Sequence, residues 1–189
     1  MKIGLFGGSF DPVHNGHVAV AIKALDSLGL DRLIVLPAAT SPFKAEGGEA
    51  SRAPSRWDRL LLVRAAFNGI AKVEVDDREM RRGGVSYAID TVREIASENP
   101  GAELVFIVGE DSLEGLPRWK DYDELKRLCR FEPFPRTAES STEVRRRVAA
   151  GEPIDDLVPW AVAKFIEKDF VSWKIMGVFE GFTNFVHGQ

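Results

Sequence analysis

His14 and His17, with Asn15 and Gly16 between them, follow Gly7-Gly8-Ser9-Phe10-Asp11-Pro12-Val13 near the start of the chain. Residues three apart share one face of a helix, so both imidazoles can meet a single phosphate group. Gly7 and Gly8 let backbone N–H groups approach an anion with no Cβ in the way. A helix beginning near Gly16 would turn its positive end to the same place. Zinc is the other reading of two close histidines. One cysteine, Cys129, and no third histidine nearby leave such a ligand set incomplete, so the pattern favours anion chemistry.

The elements around this string have to aim it. Ile3 to Phe6 reads as a buried strand, and Val18, Ala21, Ile22, Leu25 and Leu28 recur at helical spacing before Gly29. Leu33 to Leu36 is a second strand, closed by Pro37, which completes a βαβ unit and predicts a parallel sheet with a right-handed crossover. Residues 40–55 read as a loop rich in Ser, Gly, Pro and Ala. A helix is expected over 54–67, with Leu60, Leu61, Val63 and Phe67 as its apolar stripe, and Val73 to Val75 as a short strand. Ser86 is expected to cap a helix carrying Ile89, Val92 and Ile95. Leu104 to Val108 reads as the central strand, and helices are expected over 122–128, 141–149 and 159–168. The alternation predicts an α/β, Rossmann-like doubly wound parallel sheet with a small C-terminal helical region, its ligands lying beyond the carboxyl ends of the strands.

The string His14-Asn15-Gly16-His17 resembles the (H/T)xGH signature of the nucleotidyltransferases. With GGSFDPVH in front, it is similar to the bacterial nicotinate-mononucleotide adenylyltransferases. The likeness continues downstream. Residues 37–44, ending Pro42-Phe43-Lys44, resemble the family's proline-rich stretch ending in His-Lys, with Phe43 in place of the histidine. Residues 82–91 resemble its RxGxSYTxDT stretch, with Ala88 in place of the threonine, and Gly109-Glu110-Asp111 its Gly-x-Asp. Pro117-Arg118-Trp119 resembles its Pro-x-Trp, and Ser140-Ser141-Thr142-Glu143-Val144-Arg145 its SSTxxR motif.

The resemblance covers residues 1–168 and implies adenylyl transfer from ATP to nicotinate mononucleotide, giving deamido-NAD and pyrophosphate in NAD biosynthesis. It implies His14, His17, Lys44 and Arg145 as the catalytic set. Gly7, Gly8, Ser9, Phe10, Gly16, Gly109, Asp111, Ser141 and Thr142 are implied on the ATP side, and Ser86, Tyr87 and Trp119 on the mononucleotide side. Mg2+ is implied as an ion carried by the ATP phosphates, with no dedicated protein metal site. Two other readings stay open: a different acceptor, nicotinamide mononucleotide or phosphopantetheine, and a non-catalytic nucleotide sensor on the same fold.

Composition agrees with that scale of protein. With 189 residues, 44% hydrophobic and 29% charged, the chain has the length of one domain. A net charge of −4 argues against a general nucleic-acid binder. Positive charge is local, in Arg78, Arg81 and Arg82 and again in Arg145, Arg146 and Arg147; for at least half of these a solvated face is expected. One cysteine fits a reducing compartment, the N-terminus lacks a signal-peptide pattern, and no apolar run reaches the ~20 residues of a membrane span, so a cytoplasmic protein is expected.

Two departures from the family pattern set further expectations. Residues 131–139 are short, which predicts a trimmed strand and connection before the SST motif. Residues 169–189, with Phe170, Trp173, Phe179 and Phe182 among them, form an apolar tail with no family counterpart. Packing on the domain, pairing with another subunit in a homo-oligomer, and altered or engineered sequence are its alternatives.

Overall fold

The computed structural model describes residues 1–42 and 55–168. Five strands form one parallel sheet: β1 (Lys2–Gly8), β2 (Arg32–Pro37), β3 (Val73–Val75), β4 (Glu103–Gly109) and β5 (Arg130–Phe134), in the order β3-β2-β1-β4-β5. The first strand therefore occupies the middle, with β4, expected as the central strand, beside it. Successive strands run outward from β1 in one direction through β2 and β3, and in the other through β4 and β5. The reversal between β1 and β4 opens a crevice at their carboxyl ends, as in other doubly wound sheets.

Helices cover both faces. On one lie α1 (Asn15–Ser27), α2 (Arg56–Phe67), α6 (Ser141–Ala150) and α7 (Trp160–Lys168), packed on Val35, Val105 and Ile107. On the other lie α4 (Ala88–Glu98) and α5 (Tyr122–Leu128), packed on Ile3, Leu5, Ile34, Leu36 and Phe106. Alternate residues of β1 and β2 thus serve opposite cores, so a strand buried on both sides reads as a continuous apolar run. A five-residue helix, α3 (Arg78–Arg82), and a 3₁₀ helix (Glu110–Arg118) complete the fold.

Several expectations need correcting. Gly7 and Gly8 belong to β1 and pair with Leu36 and Pro37, so the loop proper begins at Ser9. The stripe of α2 runs through Leu60, Leu62, Val63, Ala66 and Phe67, because Leu61 turns outward and is 47% exposed. Ser55, not residue 54, starts that helix by accepting from the Asp58 N–H. Ser86 does not cap α4; Tyr87 occupies the N-cap position. The strand expected to be trimmed is present as β5, which carries Pro133 and sits at the sheet edge, where a missing N–H is tolerated.

The arginine clusters divide as charge pairing would have it. Arg78 pairs with Asp76, Glu94 and Glu98, Arg81 with Asp77, and Arg82 with Glu94. Arg146 and Arg147 pair with Glu143, Glu152 and Asp156, leaving Arg145 to face elsewhere. Residues 43–54, with Phe43 and Lys44, and the tail 169–189 lie outside the described residues. Among the described residues no helix is long and apolar enough to cross a membrane.

Candidate active site

The start of α1 carries the two histidines. His14 is its N-cap, and His17 occupies the third helical position. The His14 main-chain N–H donates to His17 Nδ1 at 3.1 Å, and the two rings meet at a 36° tilt with centroids 3.7 Å apart. His17 also packs on Phe10, with ring centroids 4.9 Å apart. Phe10 is 2% exposed and adopts φ 45°, so its ring belongs to the core and only its backbone is left for an anion. Burial lowers the pKa of His14 to about 4, against an opposing pull from Glu139. Burial first, and then the neighbouring His14 ring, lower that of His17 to about 3. Both imidazoles are therefore neutral near pH 7.

Gly16, the second residue of α1, leaves no room for a side chain. A Cβ there would collide with the Thr137 side chain and come within 3.0 Å of His14 Nδ1. The Asn15 N–H donates to the Leu157 carbonyl at 2.8 Å, and its Nδ2 to the Asp156 carbonyl at 3.1 Å. The first turn of α1 is thus held against the segments on either side of α6.

α6 brings the second motif to the same place. Ser140 caps it by accepting from the Glu143 N–H at 3.1 Å. The Ser141 hydroxyl donates to the Pro12 carbonyl at 2.9 Å. Arg145, one turn further in, donates to the Asp11 carbonyl, lies 3.8 Å from an Asp11 carboxylate oxygen and reaches the Thr142 hydroxyl at 3.3 Å. More than a hundred residues separate these partners in sequence. The structure brings His14, His17, Ser141, Thr142 and Arg145 around the Asp11-Pro12 turn.

The acceptor-side residues gather separately. Ser86, Tyr87 and Trp119 line a cavity of about 580 Å³, together with Gly7, Gly8 and Ser9 from the end of β1. Trp119 stands edge-on to Phe106, 5.6 Å between centroids, and to Phe131, 6.0 Å, which fixes its ring. The Ser86 hydroxyl accepts from the Ala39 N–H at 3.0 Å, and its contact with Glu79 opposes the upward shift that burial imposes on that carboxyl. Glu79 also accepts from the Thr91 hydroxyl at 2.7 Å. Ala88, Arg118 and Lys120 complete the relevant lining.

Gly109 closes β4, and a Cβ on it would come within 2.5 Å of Asp111 Oδ1. Asp111 itself is exposed on the 3₁₀ helix and 3.5 Å from Arg136. Neither lines the cavity. One residue that sequence reasoning missed is Arg59, buried on α2 with its guanidinium donating to the Ser9, Ala38 and Ala39 carbonyls. Its signal was a basic residue one turn before Leu62 and Val63, inside the buried face of a helix. Cys129 is buried, and burial pushes its thiol up to about 12, so it offers no nucleophile at neutral pH.

The described geometry can hold a chain of phosphates. It pairs a helix start and two neutral imidazoles with a cationic fork, next to a cavity walled by an indole and a phenol ring. A cytidylyltransferase-like family model matches residues 5–172. A curated relative from Gemmatimonas aurantiaca, named probable nicotinate-nucleotide adenylyltransferase, is 39% identical over 194 residues, covering 88% of this chain and 90% of its own. Another of that name, from Geobacter sp. (strain M21), is 43% identical over 155 residues, covering 80% of this chain and 70% of the relative. Among solved structures, a Vibrio parahaemolyticus protein described as a putative nicotinate-nucleotide adenylyltransferase superposes with a TM-score of 0.77 at 20% identity, covering 94% of this chain and 99% of that one. The Plasmodium falciparum nicotinic acid mononucleotide adenylyltransferase complexed with NaAD gives 0.72 at 16%, with 92% and 98% covered. The two structures speak to the fold and the sequence relatives to descent: this chain belongs to the cytidylyltransferase-like family, among its nicotinate-nucleotide adenylyltransferases.

Proposed function

We propose that this nucleotidyltransferase joins the adenylyl group of ATP to nicotinate mononucleotide, releasing pyrophosphate and forming deamido-NAD. The observation that carries the reading is the meeting of the His14–His17 helix start with Ser141 and Arg145 across the Asp11-Pro12 turn, beside the cavity of Trp119. The names of the sequence relatives support the same reaction.

In this reading the mononucleotide phosphate attacks the α-phosphorus of ATP in line, and the pyrophosphate leaves with its electron pair. No covalent intermediate is required, so the protein's task is alignment and stabilisation of charge. Because His17 Nδ1 accepts the His14 N–H, the proton of its neutral ring resides on Nε2 and can be donated to a phosphate oxygen. Arg145 offers its planar fork to the leaving phosphates. Lys44, two residues beyond Pro42 in sequence and outside the described residues, is assigned to the same phosphates from the motif alone. Gly7, Gly8, Ser9, Phe10, Gly16, Gly109, Asp111 and Thr142 complete the ATP side, with Phe10 serving through its backbone.

In this reading Mg2+ would arrive carried by ATP, which needs few protein ligands when phosphates supply the rest, and it would supply charge neutralisation there. On the acceptor side, Arg118 and Lys120 in the cavity lining outnumber Glu79 there, with Lys120 also 3.6 Å from an Asp90 carboxylate oxygen, and this supports an anionic substrate. Ala88, also in the lining, removes a hydroxyl that the family pattern offers and makes acid against amide the choice to measure.

The test is pyrophosphate release with ATP and Mg2+ across a panel of acceptors, scored by kcat/KM. Nicotinate mononucleotide is expected to lead. A higher value for nicotinamide mononucleotide or phosphopantetheine would reassign the acceptor, and no turnover with any of them would leave a nucleotide sensor.

A further inference from the structure

A guanidinium taken out of water is costly unless its donors are met. Arg59 is 5% exposed, and burial holds its pKa below the ordinary arginine range, with Asp11 as the charge that opposes the shift. Its Nη1 donates to the Ser9 carbonyl at 2.6 Å and to the Ala38 carbonyl at 2.7 Å, while Nη2 donates to the Ala39 carbonyl at 2.6 Å. Nε is buried without a hydrogen-bond partner among the described residues, so the fork alone carries the contact. The three acceptors are main-chain atoms of two different loops. Ser9 follows β1 and leads to the phosphate-side turn; Ala38 and Ala39 follow β2 on the acceptor side of the cavity.

Each carbonyl fixes a peptide plane. The C=O and N–H of a trans peptide point in opposite directions, so turning these carbonyls onto Arg59 turns the N–H groups of Phe10, Ala39 and Thr40 away from it. One of the three is spoken for, since the Ala39 N–H reaches the Ser86 hydroxyl in the cavity lining. Arg59 is therefore a buried side-chain link between the two loops, beyond the backbone bond from the Ala38 N–H to the Gly8 carbonyl at 2.9 Å.

Resting on the adenylyl-transfer reading above, we propose that Arg59 is a positioning residue for that reaction: its fork sets the placement of the Ser9 loop relative to the Ala38-Ala39 loop. It touches neither substrate in this role. Its effect falls on alignment of the attacking phosphate with the α-phosphorus.

The experiment compares wild type with Arg59→Lys, with kcat and both KM values expressed per folded molecule and the folded fraction taken from thermal unfolding. Lysine keeps the charge and loses the planar fork. The expected result is a kcat lower by on the order of 10²-fold, the scale of a misalignment of about 1 Å, with the two KM values changed far less. Should the lysine variant fail to fold, Arg59→Gln, which keeps donors without a buried charge, is read in the same way. A lower Tm with kcat per folded molecule unchanged would overturn the proposal and leave Arg59 as core support. A loss confined to KM would also overturn it. Wild type without turnover would sink the underlying function and this proposal with it, a result distinct from an active wild type matched by its variant.

Discussion

His17 Nδ1 accepts the main-chain N–H of His14 at 3.1 Å, so one ring of the pair is oriented by the backbone of the other. That bond requires an unprotonated Nδ1 and puts the proton of the neutral ring on Nε2. Nitrogen-correlated NMR of the free protein at pH 7 is expected to show the Nε2–H tautomer for His17. An Nδ1–H pattern would contradict the proposed donor. His17→Asn, which keeps a polar side chain while losing the imidazole, is expected to lower kcat by about 10²- to 10³-fold, the usual cost of one transition-state donor. Steady-state kinetics at saturating ATP measures it.

The same pair makes stability depend on pH. Folding lowers the pKa of His14 to about 4 and that of His17 to about 3, while the unfolded chain holds histidines near 6.5. Between those values the unfolded state binds more protons, so stability rises with pH there. The contribution is fully present above about 6.5 and is lost as pH falls through the folded values. Denaturant unfolding followed from pH 7 to pH 4 is expected to lose stability more steeply in wild type than in a His14→Asn, His17→Asn double variant. Equal slopes would mean that the imidazoles are not held neutral by folding.

What could be seen beforehand was local. The HxGH string, the SST-x-x-R string and the strand–loop–helix order are encoded by spacing within a few residues, and they met as expected. Arg59 was hidden because a lone arginine between Trp57 and Leu60 reads as solvated, and the carbonyls it serves lie 20 to 50 residues away in sequence. β5 was hidden by the shortness of residues 131–139, which predicts a trimmed strand; the strand forms all the same, and its Pro133 is tolerated because it sits at the sheet edge. A serine just before an apolar helical pattern predicts a cap, but the Ala39 N–H, far away in the chain, takes the Ser86 hydroxyl instead. The five residues of α3 are too few to display a helical period.

Gly16 is expected to tolerate no side chain. Its Cβ would overlap Thr137 and crowd His14, so Gly16→Ala must push the 137–140 segment or the N-cap imidazole aside. Overpacking of that kind costs about 1–3 kcal/mol. Denaturant midpoints would read that loss, and kcat is expected to fall with it as far as the crowding reaches His14, whose Nδ1 would lie 3.0 Å from the new Cβ. Unchanged kcat in the folded variant would mean that the Thr137 segment alone gave way.

Ser141 joins the two motifs through one hydroxyl. Ser141→Ala removes its bond to the Pro12 carbonyl, at a cost of about 1 kcal/mol in stability. Since the Asp11 carbonyl beside it is the Arg145 partner, the loosened turn is also expected to raise KM for ATP while KM for the acceptor stays close to wild type. Paired unfolding and kinetic measurements test both halves. A stability loss with unchanged KM for ATP would confine Ser141 to holding the turn.

Trp119 supplies the complementary case on the acceptor side. Phe106 and Phe131 meet it edge-on, at interplanar angles of 83° and 86°, so the indole is fixed before any ligand arrives and little ordering is left for binding to impose. An aromatic pair contributes about 0.5–1.5 kcal/mol beyond buried area, which corresponds to roughly a two- to tenfold change in affinity. Trp119→Ala is therefore expected to raise KM for the mononucleotide within that range, with KM for ATP nearly unchanged and Trp119→Phe restoring most of the loss. Varying each substrate in turn reads the difference. If KM for ATP rose as much as KM for the acceptor, the ring would be supporting the fold of β4 and β5 instead of stacking on the pyridine, since its two aromatic partners belong to those strands.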